Sequence, residues 1–187
     1  MTFARCCASA LTAGLLWALT GCTTAIPGEP VPAAGFHDPP EQWSSSEAAV
    51  PVPRATDGFD PCQLLTQQEL AVAGGGTGVS HPDNPLPGVC SFPLAGELGN
   101  TAAVGFHEAY ESAPQRQPRG VRTEVEGHSV WLYCEVVETY QTCTATTAIR
   151  RDRSLLTMLS VRNASAADVS DMLFHLTKAA LHKLPPG

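Results

Sequence analysis

Ser129-Val130-Trp131-Leu132-Tyr133-Cys134-Glu135-Val136, then Cys143-Thr144-Ala145-Thr146-Thr147-Ala148-Ile149, is the stretch from which the fold can be read. Both runs alternate with a period of two and are rich in β-branched and aromatic residues, so together they predict an antiparallel hairpin. Alternation places Val130, Leu132, Cys134 and Val136 on one face and Cys143, Ala145, Thr147 and Ile149 on the matching face of the partner strand. In that register Cys134 meets Cys143. Trp131 and Tyr133 fall on the opposite face, beside Thr144 and Thr146. If helices cover only the cysteine face, these two aromatics form a candidate binding patch; if a helix covers each face, they belong to the core.

Working outward, residues 154–161 read as a third strand, reached through Arg150-Arg151-Asp152-Arg153. Charges at a hairpin tip are ordinary, although the arginines also suit an anionic head group or cell-wall polymer. Beyond a turn at 163–167, residues 166–184 place Val169, Leu173, Leu176 and Ala180, with Met172 and Leu184 beside them, at helical spacing. Pro185-Pro186 ends that helix. Upstream, 89–92 and 101–106 read as short strands, and 112–120 as a loop. Asp60-Pro61-Cys62-Gln63 supplies a cap, a proline for the first helical position and a residue able to reach back to the cap. The helix it starts carries Leu64, Leu65, Leu70 and Val72 and stops at Gly74-Gly75-Gly76-Thr77-Gly78. That glycine run lacks the Gly-Lys-Ser/Thr ending and preceding strand of a phosphate loop. Helix, strands, hairpin and helix, with no repeated strand-helix-strand unit, predict a single α+β domain over 60–187. Its antiparallel sheet is packed against an N-terminal and a C-terminal helix.

Residues 1–21 have a positive start at Arg5, an apolar run from Ala8 to Leu19, and a small-residue ending, Leu19-Thr20-Gly21, before Cys22. The run is short of the roughly 20 apolar residues of a membrane span and reads as a signal peptide. Its ending matches the bacterial lipobox, which makes Cys22 the lipidation site and diacylglycerol the link to the extracytoplasmic face of the cell membrane. Two or three acyl chains hold a protein stably where one is marginal. Residues 23–59 contain seven prolines and no sustained period, and read as a disordered tether averaging roughly 35 Å end to end.

With Cys22 lipidated and Cys6 and Cys7 lost with the leader, Cys62, Cys90, Cys134 and Cys143 remain. An even count in a small exported domain favours disulfides. The hairpin register selects Cys134 with Cys143 and leaves Cys62 for Cys90. No pair has the two-to-four-residue gap of a zinc knuckle, so no metal is expected. The formal charge is −7, or −8 with 10 basic against 18 acidic residues once Arg5 is removed. This balance argues against nucleic acid as a partner, since phosphate neutralisation needs clustered Lys and Arg.

Asp60-Pro61-Cys62-Gln63-Leu64-Leu65-Thr66, with Glu69-Leu70 after it, Val89-Cys90-Ser91-Phe92, and the closing Leu184-Pro185 resemble a family of actinobacterial lipoproteins of unknown function. The mature start, Cys22-Thr23-Thr24-Ala25-Ile26-Pro27-Gly28, is similar to that of mycobacterial envelope lipoproteins. The resemblance covers most of the mature chain and implies a helix-and-sheet domain in the cell envelope, with no assigned reaction.

No Gly-x-Ser-x-Gly elbow, His-Glu-x-x-His helix or Ser-x-x-Lys element occurs, and no cofactor motif is present. His81 and Asp83, with His107 and Glu108, could serve as base, orienter or ligand only if the fold brought them into one cleft. His175 and His182 lie two turns apart on the last helix, too far to bind one metal unaided. The expected function is a non-catalytic binding or accessory module for an envelope lipid, glycan or protein partner. A hydrolytic or metal-dependent envelope enzyme and a structural or sensory ectodomain are the alternatives.

Overall fold

Seven strands form one antiparallel sheet in the order β1-β2-β3-β7-β6-β5-β4. These are β1 (His81–Pro82), β2 (Val89–Pro93), β3 (Thr101–His107), β4 (Val121–Val125), β5 (His128–Val137), β6 (Tyr140–Ala148) and β7 (Ser154–Arg162). The computed structural model describes residues 47–187; the leader, Cys22 and most of the Pro-rich segment lie outside the described residues. The hairpin pairs Cys134 directly with Cys143, and Tyr133 with Thr144. β7 then inserts between β6 and β3, so a strand contributed late in the chain joins two hairpins made earlier.

One face of the sheet is covered by α3 (Ala166–Lys183) and by the N-terminal helical segment. Ser165 caps α3 by accepting the Asp168 N–H at 3.1 Å. Val169, Leu173, Leu176 and Ala180 are fully buried against Val104, Ala145, Leu155 and Leu159 of the sheet. Each buried leucine contributes on the order of 2 kcal/mol. Where β7 meets the helix, the Thr157 and Thr177 hydroxyls lie 2.6 Å apart and Thr177 also donates to Leu173 O. This satisfies two polar groups that would otherwise cost about 1–3 kcal/mol each.

The N-terminal helix is more broken than the sequence predicts. Asp60 does cap, accepting the Cys62 N–H at 2.9 Å, but over Pro61–Gln63 the chain makes only a 3-10 turn. It restarts as α1 (Gln67–Leu70), with a second 3-10 turn at Ala71–Ala73. The capping box belongs to Thr66 and Glu69, not to Gln63. Thr66 competes for the backbone and restarts the helix in mid-segment. Leu64, Leu65 and Leu70 are buried as expected, whereas Val72 is 40% exposed. The segment is held to β2 by the Cys62–Cys90 disulfide; Cys134–Cys143 closes the hairpin.

Glu69 ties this segment to α3 by accepting from Lys183 Nζ at 2.6 Å. Burial raises its carboxyl pKa, but hydrogen bonds from Lys183 and Thr66 and the Lys183 charge outweigh that and hold it below the ordinary value. A depressed carboxylate stabilises the fold above its unfolded pKa, and that stability is lost as pH falls through the folded one. Glu69→Gln is therefore expected to lower the urea midpoint at pH 7, with the gap from wild type closing as the pH falls through and below the ordinary carboxylate range. A gap that persists in acid would remove the ionic explanation.

Residues 47–59, which composition assigns to the tether, run along the domain. Ser129 N donates to Ala49 O, Arg54 N to Ile149 O, Ala55 N to Pro185 O and Gly187 N to Pro53 O. Extended, proline-rich backbone needs no helix or strand of its own to use its remaining N–H and C=O groups in this way. Residues 47–59 accordingly belong to the compact unit.

Candidate functional site

The face of the sheet away from α3 is partly open along β7, where Leu156 and Met158 are half-buried. Register lines up two rows of side chains across five strands on that face. One runs Val89, Gly105, Leu156, Thr146, Trp131; the other runs Ser91, Ala103, Met158, Thr144, Tyr133. A solvated face of an antiparallel sheet should alternate to polar residues, yet the centre of these rows is Leu156, Met158 and Ala103.

Two walls turn this apolar strip into a slot. The first is the loop 83–88, whose Asp83 carboxylate accepts the Gly88 N–H at 2.9 Å and whose Asn84 side chain donates to Ser91 Oγ at 3.1 Å. It sits low on the sheet because Phe106 N donates to Gly88 O at 3.1 Å. A Cβ at Gly105 would lie 2.5 Å from Val89 Cα and closer still to Gly88 O. Only glycine permits that approach.

The second wall is the segment after β3, which crosses the sheet as a 3-10 turn, Tyr110–Ser112, and α2 (Ala113–Arg116). The sequence expectation of a plain loop over 112–120 is thus only partly met. Pro114 at an N-terminal helical position starts a single turn, and its apolar side seals Trp131. That side chain is 8% exposed, packs with Tyr110, Ala113 and Ala148, and donates Nε1–H to Gln117 O at 3.0 Å.

Between the walls lies a cavity of about 360 Å³ with Leu86, Val89, Ala103, Leu156 and Met158 among its lining. One end is polar. There Arg116 pairs with Glu108 and donates to Ser112 Oγ at 2.9 Å, and half-buried His107 joins the lining; further along, level with Met158, Gln117 donates to Thr144 Oγ1 at 3.0 Å. Burial holds the His107 imidazole below its usual pKa; the charges of Arg116 and Arg153 add to this, and Glu108 opposes it. A neutral imidazole keeps one N–H donor and one acceptor.

Of the two aromatics proposed as a patch, Trp131 offers almost no surface. Tyr133 is half-buried; it donates to Glu135 at 2.9 Å and accepts from Arg119 at 3.1 Å. The open part of that face is centred two strands away, on β7. The four residues considered for catalysis are not drawn together: the Asp83 carboxylate is engaged by Gly88, and Glu108 by Arg116. Among the described residues no cluster of three His, Cys, Asp or Glu side chains could hold a metal. His128, buried with Nδ1 2.7 Å from Ala148 O, is a packing residue, and His182 faces Glu126 at 3.5 Å. Arg150 and Arg151, beside a more open depression of about 510 Å³, pair with Asp57, Asp152 and Glu47.

The slot residues that sequence reasoning missed are Leu86, Arg116, Gln117, Leu156 and Met158. One signal was present. The run Leu155-Leu156-Thr157-Met158-Leu159 is apolar at both parities, which marks a strand with something to cover on each face.

A family model described as a protein of unknown function (DUF3558) matches residues 17–172. The chain belongs to the DUF3558 family. No curated protein matches this DUF3558 chain. A crystal structure of a protein from Bacteroides thetaiotaomicron VPI-5482 is similar over 52% of this chain and 40% of that one, at 6% identity and a TM-score of 0.37; so distant a likeness carries no argument. Among the described residues of the DUF3558 domain, no helix is long and apolar enough to cross a membrane.

Proposed function

We propose that this DUF3558 protein is a cell-envelope lipoprotein, anchored by lipid on Cys22 to the extracytoplasmic face of the membrane, whose domain is a non-catalytic binding module. The slot between residues 83–88 and α2 is its binding site, and the ligand is apolar along most of its length. The observation that carries the reading is the pair Leu156 and Met158, large apolar side chains left half-buried between the two walls on the sheet face opposite α3. Exposed apolar surface framed by polar walls is the usual mark of a site for a ligand or partner. The thioether of Met158 adapts to ligands of varied shape.

Two measurements test the two halves. Cys22→Ala is expected to abolish palmitate labelling and move the protein from the membrane fraction to the soluble one; label retained on that variant would refute the anchor. The full chain carrying Cys22→Ala, free of acyl groups, is expected to enhance the fluorescence of N-phenylnaphthylamine. Adding Met158→Gln is expected to remove most of that enhancement at unchanged circular dichroism. Equal enhancement by both proteins would refute the site.

A further inference from the structure

We infer that the slot takes a single-chain anionic amphiphile, a long-chain carboxylate, with its head group against Arg116 and His107 and its chain along β7. The inference rests on the slot being an apolar-ligand site and adds the shape and charge of what fills it. Shape comes first. The walls stand over the strands flanking β7, so the backbones of β3 and β6 on either side are about 10 Å apart, whereas along β7 the lining runs from His107, opposite Ser154, to Met158, roughly 13 Å. A channel that long and that narrow suits one extended chain better than a folded or ring-shaped ligand.

The two ends differ in chemistry. The chain segment from His107 to Arg116 crosses β7 at its first residue, where Ser154 Oγ donates to Glu108 O at 2.6 Å, and so closes that end. Its cations are Arg116 and, close enough to act on His107, Arg153; Glu108 is the acidic group among them. The far end carries the paired hydroxyls of Thr142 and Ser160, 2.9 Å apart, and beyond them Arg162, which pairs with Glu97 and, unlike Arg116, does not line the cavity. On a chain of net charge −7, a locally cationic, partly desolvated end to an apolar channel selects for an anion there. A guanidinium can bind a carboxylate through two parallel N–H donors. Glu108 already takes one donor of the Arg116 guanidinium, Nη1, from the protein side, and a ligand carboxylate would share or replace it.

Displacement of N-phenylnaphthylamine from the full chain carrying Cys22→Ala, at pH 8, separates the possibilities. Decanoate is expected to displace the dye at about tenfold lower concentration than decanol or decylamine, the discrimination worth one well-placed ionic contact. Arg116→Gln is expected to erase that preference while leaving decanol unchanged, and Arg116→Lys to restore part of it. If decanol and decanoate displace equally, the head-group assignment falls and the apolar site stands. If neither displaces dye that Met158→Gln does abolish, the single-chain assignment falls. If the dye never binds, the site itself is lost.

Discussion

Cys62→Ala combined with Cys90→Ala is expected to lower the stability of the domain by about 3.5 kcal/mol, the loop-closure value for a sequence separation of 28. The segment that this bridge holds has little to keep it in place otherwise. It consists of a four-residue α-turn between two 3-10 turns, far below the length at which a helix persists alone. Its anchorage is three buried leucines, Leu64, Leu65 and Leu70, the Glu69–Lys183 pair and the disulfide. Cys134→Ala with Cys143→Ala closes a separation of only nine residues within an already paired hairpin and should cost less, about 2.5 kcal/mol. Urea unfolding of the two double variants checks the order. Equal losses, or a larger loss from the hairpin bridge, would show that the bridges do not act by restricting the unfolded chain.

Gly105→Ala is expected to cost about 3 kcal/mol, the upper part of the range for forcing one group into a packed site. The atoms in its way, Gly88 O and Val89 Cα, are backbone, so no side chain can rotate to make room. The cheapest escape is to lift residues 83–88, breaking the Phe106 N to Gly88 O bond and opening the slot wall that carries Leu86. Stability and dye binding should therefore fall together. Gly78→Ala is the matched control: its nearest neighbour is Pro93 Cγ at 3.8 Å and its backbone conformation is ordinary, so a change within about 0.5 kcal/mol is expected. A Gly105→Ala chain as stable as that control would mean the loop does not sit as closely as described.

How much of this was legible beforehand depends on the range of the interactions involved. The hairpin, its register, the Cys134–Cys143 pair and the amphipathic last helix follow from periods of 2 and 3.6 within about 20 residues of chain, and the structure has them all. The strand Val121–Val125 escaped because its pattern is short and charged, with Arg122 and Glu124 on the open face. The first helix is shorter than its leucine spacing predicts because Thr66 acts as a cap and restarts it. The two disulfides came from an even cysteine count plus one register argument.

The slot could not be read in the same way. Its floor is Ala103, Leu156 and Met158 from β3 and β7, residues about 50 positions apart that meet only because β7 inserts between two earlier hairpins. Its walls are segments whose composition says only turn. The sequence by itself determined the α+β class, the cysteine pairing and one covered face. The tertiary structure alone decided which face stays open, that Trp131 is sealed while Leu156 and Met158 are not, and that Arg116 stands at the end of the channel. The reason is physical: side-chain periodicity tells which residues share a face, but not what else in the chain will come to cover it.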